Sequence, residues 1–100
     1  MSAPKPGTPA YTLAALNLLA TNRALVETDL IMARVSAWGG LDLLYRTDAA
    51  AQQAAAHLDI TAEPRPNPSL RLDGFIRAGA VAGVTVRIES TWPASLAGVA

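Results

Sequence analysis

Arginine is the residue type in this chain whose spacing best fits a binding chemistry. Five arginines fall at alternating positions of predicted strands, which places them on one face of a sheet: Arg34, Arg46, Arg71, Arg77 and Arg87. Guanidinium groups bind phosphates, and the aromatic ring of Phe75 on the same face offers a surface on which a base can stack. The pattern indicates single-stranded nucleic acid as a ligand, contacted by Arg34, Arg71, Phe75, Arg77 and Arg87.

Carboxylates on the same predicted face weaken this interpretation. Asp42, Asp73 and Glu89 alternate with the arginines, and the formal net charge of the chain is zero. Arginine beside a carboxylate on neighbouring strands forms cross-strand pairs worth about 0.2 to 1 kcal/mol each. An antiparallel sheet with one solvated face needs such residues there for solubility alone. Nucleic-acid binding is therefore the alternative hypothesis, and a solvated face is the favoured one.

The remaining polar residues carry no pattern of catalytic groups. His57 is the only histidine and lies near the predicted end of a helix, where its charge favours the helix dipole. Neither a nucleophile nor a paired carboxylate has a spacing that recruits it. Asp59 and Glu63 nearby are too generic to define a metal site. We predict a protein that is not an enzyme and has no cofactor and no metal ligands.

The first predicted helix carries apolar residues on two sides. On a helical wheel the main stripe is Leu13, Leu16, Leu19 and Ala20, and nearly opposite it lie Tyr11, Ala14 and Leu18. The second stripe either packs inside the domain or binds a partner. Exposed tryptophans are favoured interface anchors, and Trp92 lies in a predicted tail. We predict a protein-binding or self-association surface made by Tyr11, Leu18, Leu25 and Trp92.

Two segments of alternating residues predict a β-hairpin between Ser69 and Glu89. Their inward positions are Leu70, Leu72, Ile76, Val84, Val86 and Ile88. Between the two strands we expect a glycine-bearing connector, Ala78 to Gly83. This alternation places Arg77 on the outer face, opposite to Ile76.

The other elements follow from turn and cap residues. Thr8 and Pro9 predict the start of a helix that runs to about Asn22, or as far as Val26. The further elements are a hairpin with strands at 30–37 and 41–46 around Trp38-Gly39-Gly40, a helix at 47–58 that either Thr47 or Asp48 can cap, and a stiff proline-bearing connector at 62–69.

These elements predict an α+β two-layer sandwich. We expect a four-stranded antiparallel sheet made of two hairpins, with two helices on one face, in the order α-ββ-α-ββ. One hundred residues suffice for one such domain, which we place at 8–90 between a disordered tail at 1–7 and a C-terminal tail at 91–100. The strand order does not follow from the pattern.

Composition limits the class of protein further. Apolar residues make up 51% and charged residues 16%, which is typical of a globular chain. There is no cysteine and therefore no disulfide or thiolate ligand. The longest apolar run is interrupted by Asn17 and is much shorter than the roughly 20 residues of a membrane span. We expect a cytoplasmic protein of a bacterial host and no membrane partner.

A run of residues also resembles a group of proteins. The segment Trp38-Gly-Gly-Leu-Asp-Leu-Leu, then Arg46-Thr-Asp, an alanine-rich helix and Gly-Val-Thr-Val-Arg is similar to small uncharacterised accessory proteins of actinobacterial phages and prophages. The resemblance covers about half of the chain and implies a phage accessory role. Together with the two-sided helix, it leads us to expect an interaction protein of phage or mobile-element origin that binds a protein partner or itself.

Overall fold

A computed structural model describes residues 3–27, 29–66 and 74–92. Of Thr91 and Trp92 it describes only the backbone. Two α-helices and five strands make up these residues. The elements are α1 (Pro9–Thr21), β1 (Leu30–Ser36), β2 (Gly40–Thr47), α2 (Asp48–His57), β3 (Arg65–Pro66), β4 (Phe75–Val81) and β5 (Val84–Trp92), with a short 3-10 helix at Arg23–Leu25 after α1. The class is α+β, as the sequence predicts.

Both α-helices begin at a threonine cap. The Tyr11 amide donates to Thr8 Oγ1 at 3.3 Å, and the Ala50 amide donates to Thr47 Oγ1 at 3.2 Å. Each hydroxyl satisfies one of the amides that the first helical turn leaves without a partner. These contacts confirm the predicted starts of α1 and α2. The α1 helix ends at Thr21 because Asn22 leaves the helical conformation and caps it.

The sheet corrects the predicted four-stranded antiparallel arrangement. Its order is β1-β2-β5-β4-β3, and β2 and β5 run parallel at its centre. The other neighbouring strands are antiparallel, so the sheet is mixed. The strand that was not predicted is β3. It consists of two residues of the proline-bearing segment and pairs with the edge of β4.

Burial explains why β5 rather than β4 occupies the centre beside β2. The inward side chains at 41–45 of β2 and 84–90 of β5 are buried, and most are large and apolar: Leu41, Leu43, Tyr45, Val84, Val86, Ile88 and Ser90. The inward positions of β4 include Arg77 and Gly79, which offer little apolar surface to a core. Placing the more apolar strand between two neighbours buries the larger area.

The second hairpin turns over two residues rather than six. Strand β4 continues to Val81, and Ala82 and Gly83 form the turn with φ values of 51° and 81°. In this register Arg77 pairs with Ile88 and Ile76 pairs with Glu89. Cross-strand partners share a face, so Arg77 points to the core and Ile76 to the open side. This is the reverse of the prediction, because an error of one residue in register exchanges the two faces of a strand.

Helix α1 packs on the sheet through its second apolar stripe and not through the predicted main stripe. Tyr11, Ala15 and Leu18 are buried, whereas Leu13 and Leu16 remain 64% and 46% exposed. The Tyr11 hydroxyl accepts a hydrogen bond from the Thr85 amide at 3.0 Å, which ties α1 to β5. Helix α2 packs beside it on β2 and β5 through small side chains, as predicted.

No helix in the described residues is long and apolar enough to cross a bilayer.

Candidate interaction surface

Three of the four residues predicted to bind a partner belong to the hydrophobic core. Tyr11, Leu18 and Leu25 are 1%, 9% and 0% exposed. The carbonyl oxygen of Leu25 also accepts a hydrogen bond from the Tyr45 hydroxyl at 2.6 Å. The prediction of a docking surface at these three residues is therefore wrong. The second apolar stripe of α1 packs inside the domain, which was the other possibility that the sequence left open. The backbone of Trp92 pairs with Thr47, and its side chain lies outside the described part.

The free edge of the sheet is strand β1. Among the described residues only β2 pairs with it, so no described strand pairs with the backbone groups on its other side. Ile31 and Met32 are 50% and 46% exposed at the start of this strand. A register irregularity between Leu30 and Met32 bends this end, but the ladder from Met32 to Ser36 is regular. A regular, unpaired strand with exposed apolar residues can accept another strand.

The charge on β1 does little to protect this edge. Its only charged residue is Arg34, whose Nη2 donates to Asp42 Oδ2 of β2 at 3.0 Å. The guanidinium is therefore held across the sheet by the neighbouring strand and does not stand along the free edge. Monomeric proteins commonly block such edges with lysine or proline, and β1 has neither.

The opposite edge of the sheet is blocked in that way where β4 begins. Arg65 and Pro66 pair with Ile76 and Phe75, the first two residues of β4. Proline has no amide hydrogen to donate, so Pro66 cannot continue a ladder. Within the described part of the chain, the start of β4 is thus protected, whereas no strand pairs with the outer side of β1.

Trp38 lies in the turn that follows β1 and is 76% exposed. The Ser36 hydroxyl accepts from the Trp38 and Gly39 amides at 3.2 and 3.0 Å and fixes this turn. The indole ring rests against Gly7, where a side chain would not fit beside it. We use the term β1 edge surface for the free edge of Leu30–Ser36 together with the exposed side chains of Ile31, Met32 and Trp38. Sequence reasoning missed this surface, although the alternation at 30–37 was recognised.

The residues predicted to bind nucleic acid are not assembled on one face. Arg34 and Arg87 are exposed on the open face, on either side of Asp42 in the register. Arg77 is only 4% exposed and points to the core. Phe75 is half-buried on the same strand and side as Arg77. Arg71 lies outside the described residues, so the open face shows two of the five predicted contacts.

Arg77 instead belongs to a buried polar cluster that the sequence analysis missed. Its Nη2 donates to Asp48 Oδ1 at 2.9 Å, and the Ser90 hydroxyl donates to the same oxygen at 3.3 Å. Gln52 Nε2 donates to Asp48 Oδ2 at 3.0 Å. Asp48 also stands in the first turn of α2, where the helix dipole favours a negative charge. The cluster holds β4, β5 and α2 together. A correct assignment of the two faces of β4 would have placed Arg77 in the core and pointed to this cluster.

Two further titratable side chains, His57 and Tyr45, lie outside this cluster. His57 is exposed, and its Nε2 lies 3.1 Å from Asn22 Oδ1, which links the ends of the two α-helices. Groups of three or more histidine, aspartate or glutamate side chains that could hold a metal ion are absent from the described residues. Burial raises the pKa of Tyr45 to about 12, and its hydroxyl is used in the core.

The architecture defines an α+β protein with two helices and a five-stranded, mixed, open sheet. No family model, curated protein sequence or solved structure matches this chain.

Proposed function

We propose that this chain is a non-enzymatic interaction protein that binds an extended segment of another protein, or of a second copy of itself, along the β1 edge surface. The observation that carries the proposal is the free edge of β1 beside exposed Ile31 and Met32. An extended segment added to such an edge gains main-chain hydrogen bonds along the strand, and its alternate side chains give specificity.

The side chains near this edge suit the centre of an interface. Trp38 presents most of its ring at the end of β1, and tryptophan is enriched among residues that dominate binding energy. Ile31 and Met32 supply apolar area, and methionine adapts to irregular partners. As part of the same proposal, the chain has a phage or prophage accessory role, and its partner is a protein of a bacterial cytoplasm.

The experiment compares matched lysine substitutions. Met32→Lys lies on the β1 edge surface, and Leu16→Lys on the outer side of α1 is the control, because both side chains are 46% exposed. Sedimentation equilibrium measures self-association, and affinity capture with each variant as bait measures binding of other proteins. We expect Ile31→Lys and Met32→Lys to abolish the association that the unmodified chain and Leu16→Lys retain.

Two results would contradict the proposal. If Leu16→Lys abolishes association while Met32→Lys does not, the outer side of α1 is the docking surface. If the chain remains monomeric and all baits capture the same proteins, the β1 edge surface binds nothing specific.

Single-stranded nucleic acid on the open face remains the second candidate, supported by the exposed guanidinium groups of Arg34 and Arg87. It requires binding that weakens with salt and weakens further in the Arg34→Gln, Arg87→Gln double variant. Asp42 between the two arginines and the zero net charge favour the protein-binding proposal over this one.

A further inference from the structure

A groove of about 550 Å³ lies at the opposite edge of the sheet from β1. Residues 62–65 form one wall, residues 76–78 of β4 form the other, and Arg87 of β5 reaches it from the open face. The first wall is stiff, because Pro64 has a fixed φ and the next two residues pair with β4. A groove whose walls are already ordered loses little conformational entropy when it binds a ligand.

Positive charge dominates this groove. Among the described residues, its lining includes Arg65, Arg77 and Arg87 and one carboxylate, that of Glu63. The charge of Arg77 is matched by Asp48, but Arg65 and Arg87 are exposed and make no hydrogen bond or ion pair with any described residue. Within this part of the chain, two guanidinium groups without an ion-pair partner therefore face one carboxylate. A guanidinium presents paired N–H groups that fit the two oxygens of a carboxylate or phosphate.

Arg77 adds a second, independent observation. Its side chain is only 3% exposed, yet within the described part of the chain its Nη1 has no hydrogen-bond partner. Leaving a buried donor without an acceptor is unfavourable, and such groups are rare in folded proteins. Arg77 lines both this groove and a neighbouring cavity of about 390 Å³ between α2 and residues 60–64. An acceptor that enters between residues 62–64 and β4 would satisfy Nη1.

We propose that this groove binds the oxyanion of a small molecule, a carboxylate or a phosphate. Arg65 and Arg87 make the first contacts at the two sides of the groove. Nη1 of Arg77 is closed to solvent, and it becomes hydrogen-bonded when the anion or a water that accompanies it enters. The site is independent of the β1 edge surface, so either proposal can fail while the other stands.

The test titrates the full chain with inorganic phosphate and, separately, with citrate, while backbone amide chemical shifts are recorded by NMR. Sodium chloride at matched ionic strength is the reference. We expect saturable shifts in residues 62–65 and 76–78 with at least one of the two anions, and the comparison identifies phosphate or carboxylate as the preferred group.

Variants of the exposed arginines keep the test independent of folding. Arg65→Gln and Arg87→Gln should each weaken binding about tenfold, as expected when one charge-assisted hydrogen-bonding group is lost. Arg34→Gln is the control, since this arginine is also exposed on the sheet but lies on β1. The proposal is overturned if neither anion gives shifts beyond those of chloride. It is also overturned if Arg34→Gln weakens binding as much as Arg65→Gln and Arg87→Gln do, or if those two bind like the unmodified chain.

Discussion

Gly40 has no room for a side chain. Its φ is +83°, and a Cβ atom placed there would collide with the carbonyl oxygen of Thr85 on the neighbouring strand. Both the positive φ and the collision involve backbone, which cannot move without breaking the β2–β5 pairing. We expect Gly40→Ala to lower the free energy of unfolding by about 2 to 4 kcal/mol, measured by urea denaturation.

The adjacent glycine provides the control for this prediction. A Cβ atom at Gly39 would meet only the side chain of Ser36, at 3.5 Å from its Oγ, and no positive φ applies there. Gly39→Ala should therefore change stability by less than about 0.5 kcal/mol. Equal losses in the two variants would show that the close approach of Gly40 to Thr85 is not what restricts this position.

Arg77 and Asp48 form a buried ion pair whose loss should be severe. Arg77→Ala leaves the Asp48 carboxylate buried without its cation, and we expect a loss of about 3 to 5 kcal/mol in the free energy of unfolding. The pair of Arg34 and Asp42 has a similar length, 3.0 Å against 2.9 Å, but its side chains are 65% and 17% exposed. Arg34→Ala should cost less, about 1 kcal/mol, because solvent hydrates the guanidinium and screens this pair. Similar losses in the two variants, measured by urea denaturation, would contradict the argument from burial.

Tyr45 predicts how stability depends on alkaline pH. Burial raises the pKa of its hydroxyl from 10.0 to about 12, so the folded state holds this proton more tightly than the unfolded state does. The associated stability is complete below pH 10 and is lost as pH rises towards 12. Urea denaturation across this range should show a steeper decline for the unmodified chain than for Tyr45→Phe, which has no hydroxyl to ionise. Parallel declines would contradict the assignment to Tyr45.

Among the elements, α1 gives the clearest test of which face is buried. Leu18 is 9% exposed and Leu13 is 64% exposed, although both are leucines of the same helix. Leu18→Ala should cost about 2 to 5 kcal/mol by opening a cavity, whereas Leu13→Ala should change stability by less than about 0.5 kcal/mol. Thermal and urea unfolding would measure both. A larger loss for Leu13→Ala would restore the orientation that the helical wheel predicts.

The same helix shows what the sequence could predict at the scale of elements and what it could not. Its start is encoded locally, because Thr8 and Pro9 have conformational preferences of their own, and the prediction was right. Which apolar side meets the sheet depends on contacts distant in the chain, such as that of the Tyr11 hydroxyl with the Thr85 amide. A helix that is apolar on both sides carries no local signal for that choice.

The prediction of the second hairpin was wrong for a local reason. Its turn is Ala82-Gly83, and alanine at a φ of 51° is not among the residues that normally mark a two-residue turn. Assigning Ile76 to the inward face because it is apolar reversed the faces of β4 and moved Arg77 from the core to solvent. The prediction of a nucleic-acid surface depended on which face of β4 points inward. Finding the β1 edge surface required the strand order, which alternation does not encode.

At the scale of the whole molecule, the parallel pairing of β2 with β5 joins the two hairpins into one sheet. Residues that pair there are far apart in the chain, such as Leu41 with Val86 and Leu43 with Ile88. Both strands have neighbours on each side, and their inward side chains at 41–45 and 84–90 are buried. The centre of the sheet should therefore open only when the whole domain unfolds, whereas its edges open locally.

Hydrogen exchange of backbone amides tests this arrangement together with the proposed function. In dilute solution we expect the slowest exchange in β2 and β5 and faster exchange in β1, whose outward amides have no partner among the described strands. If a second copy pairs with β1, protection of its amides rises with protein concentration while that of β2 and β5 stays the same. Ile31→Lys should remove this concentration dependence without changing the exchange of the central strands. Protection of β1 that is already as high as that of β5 in dilute solution would mean that this edge is covered within the chain, and the surface proposed for binding would not be free.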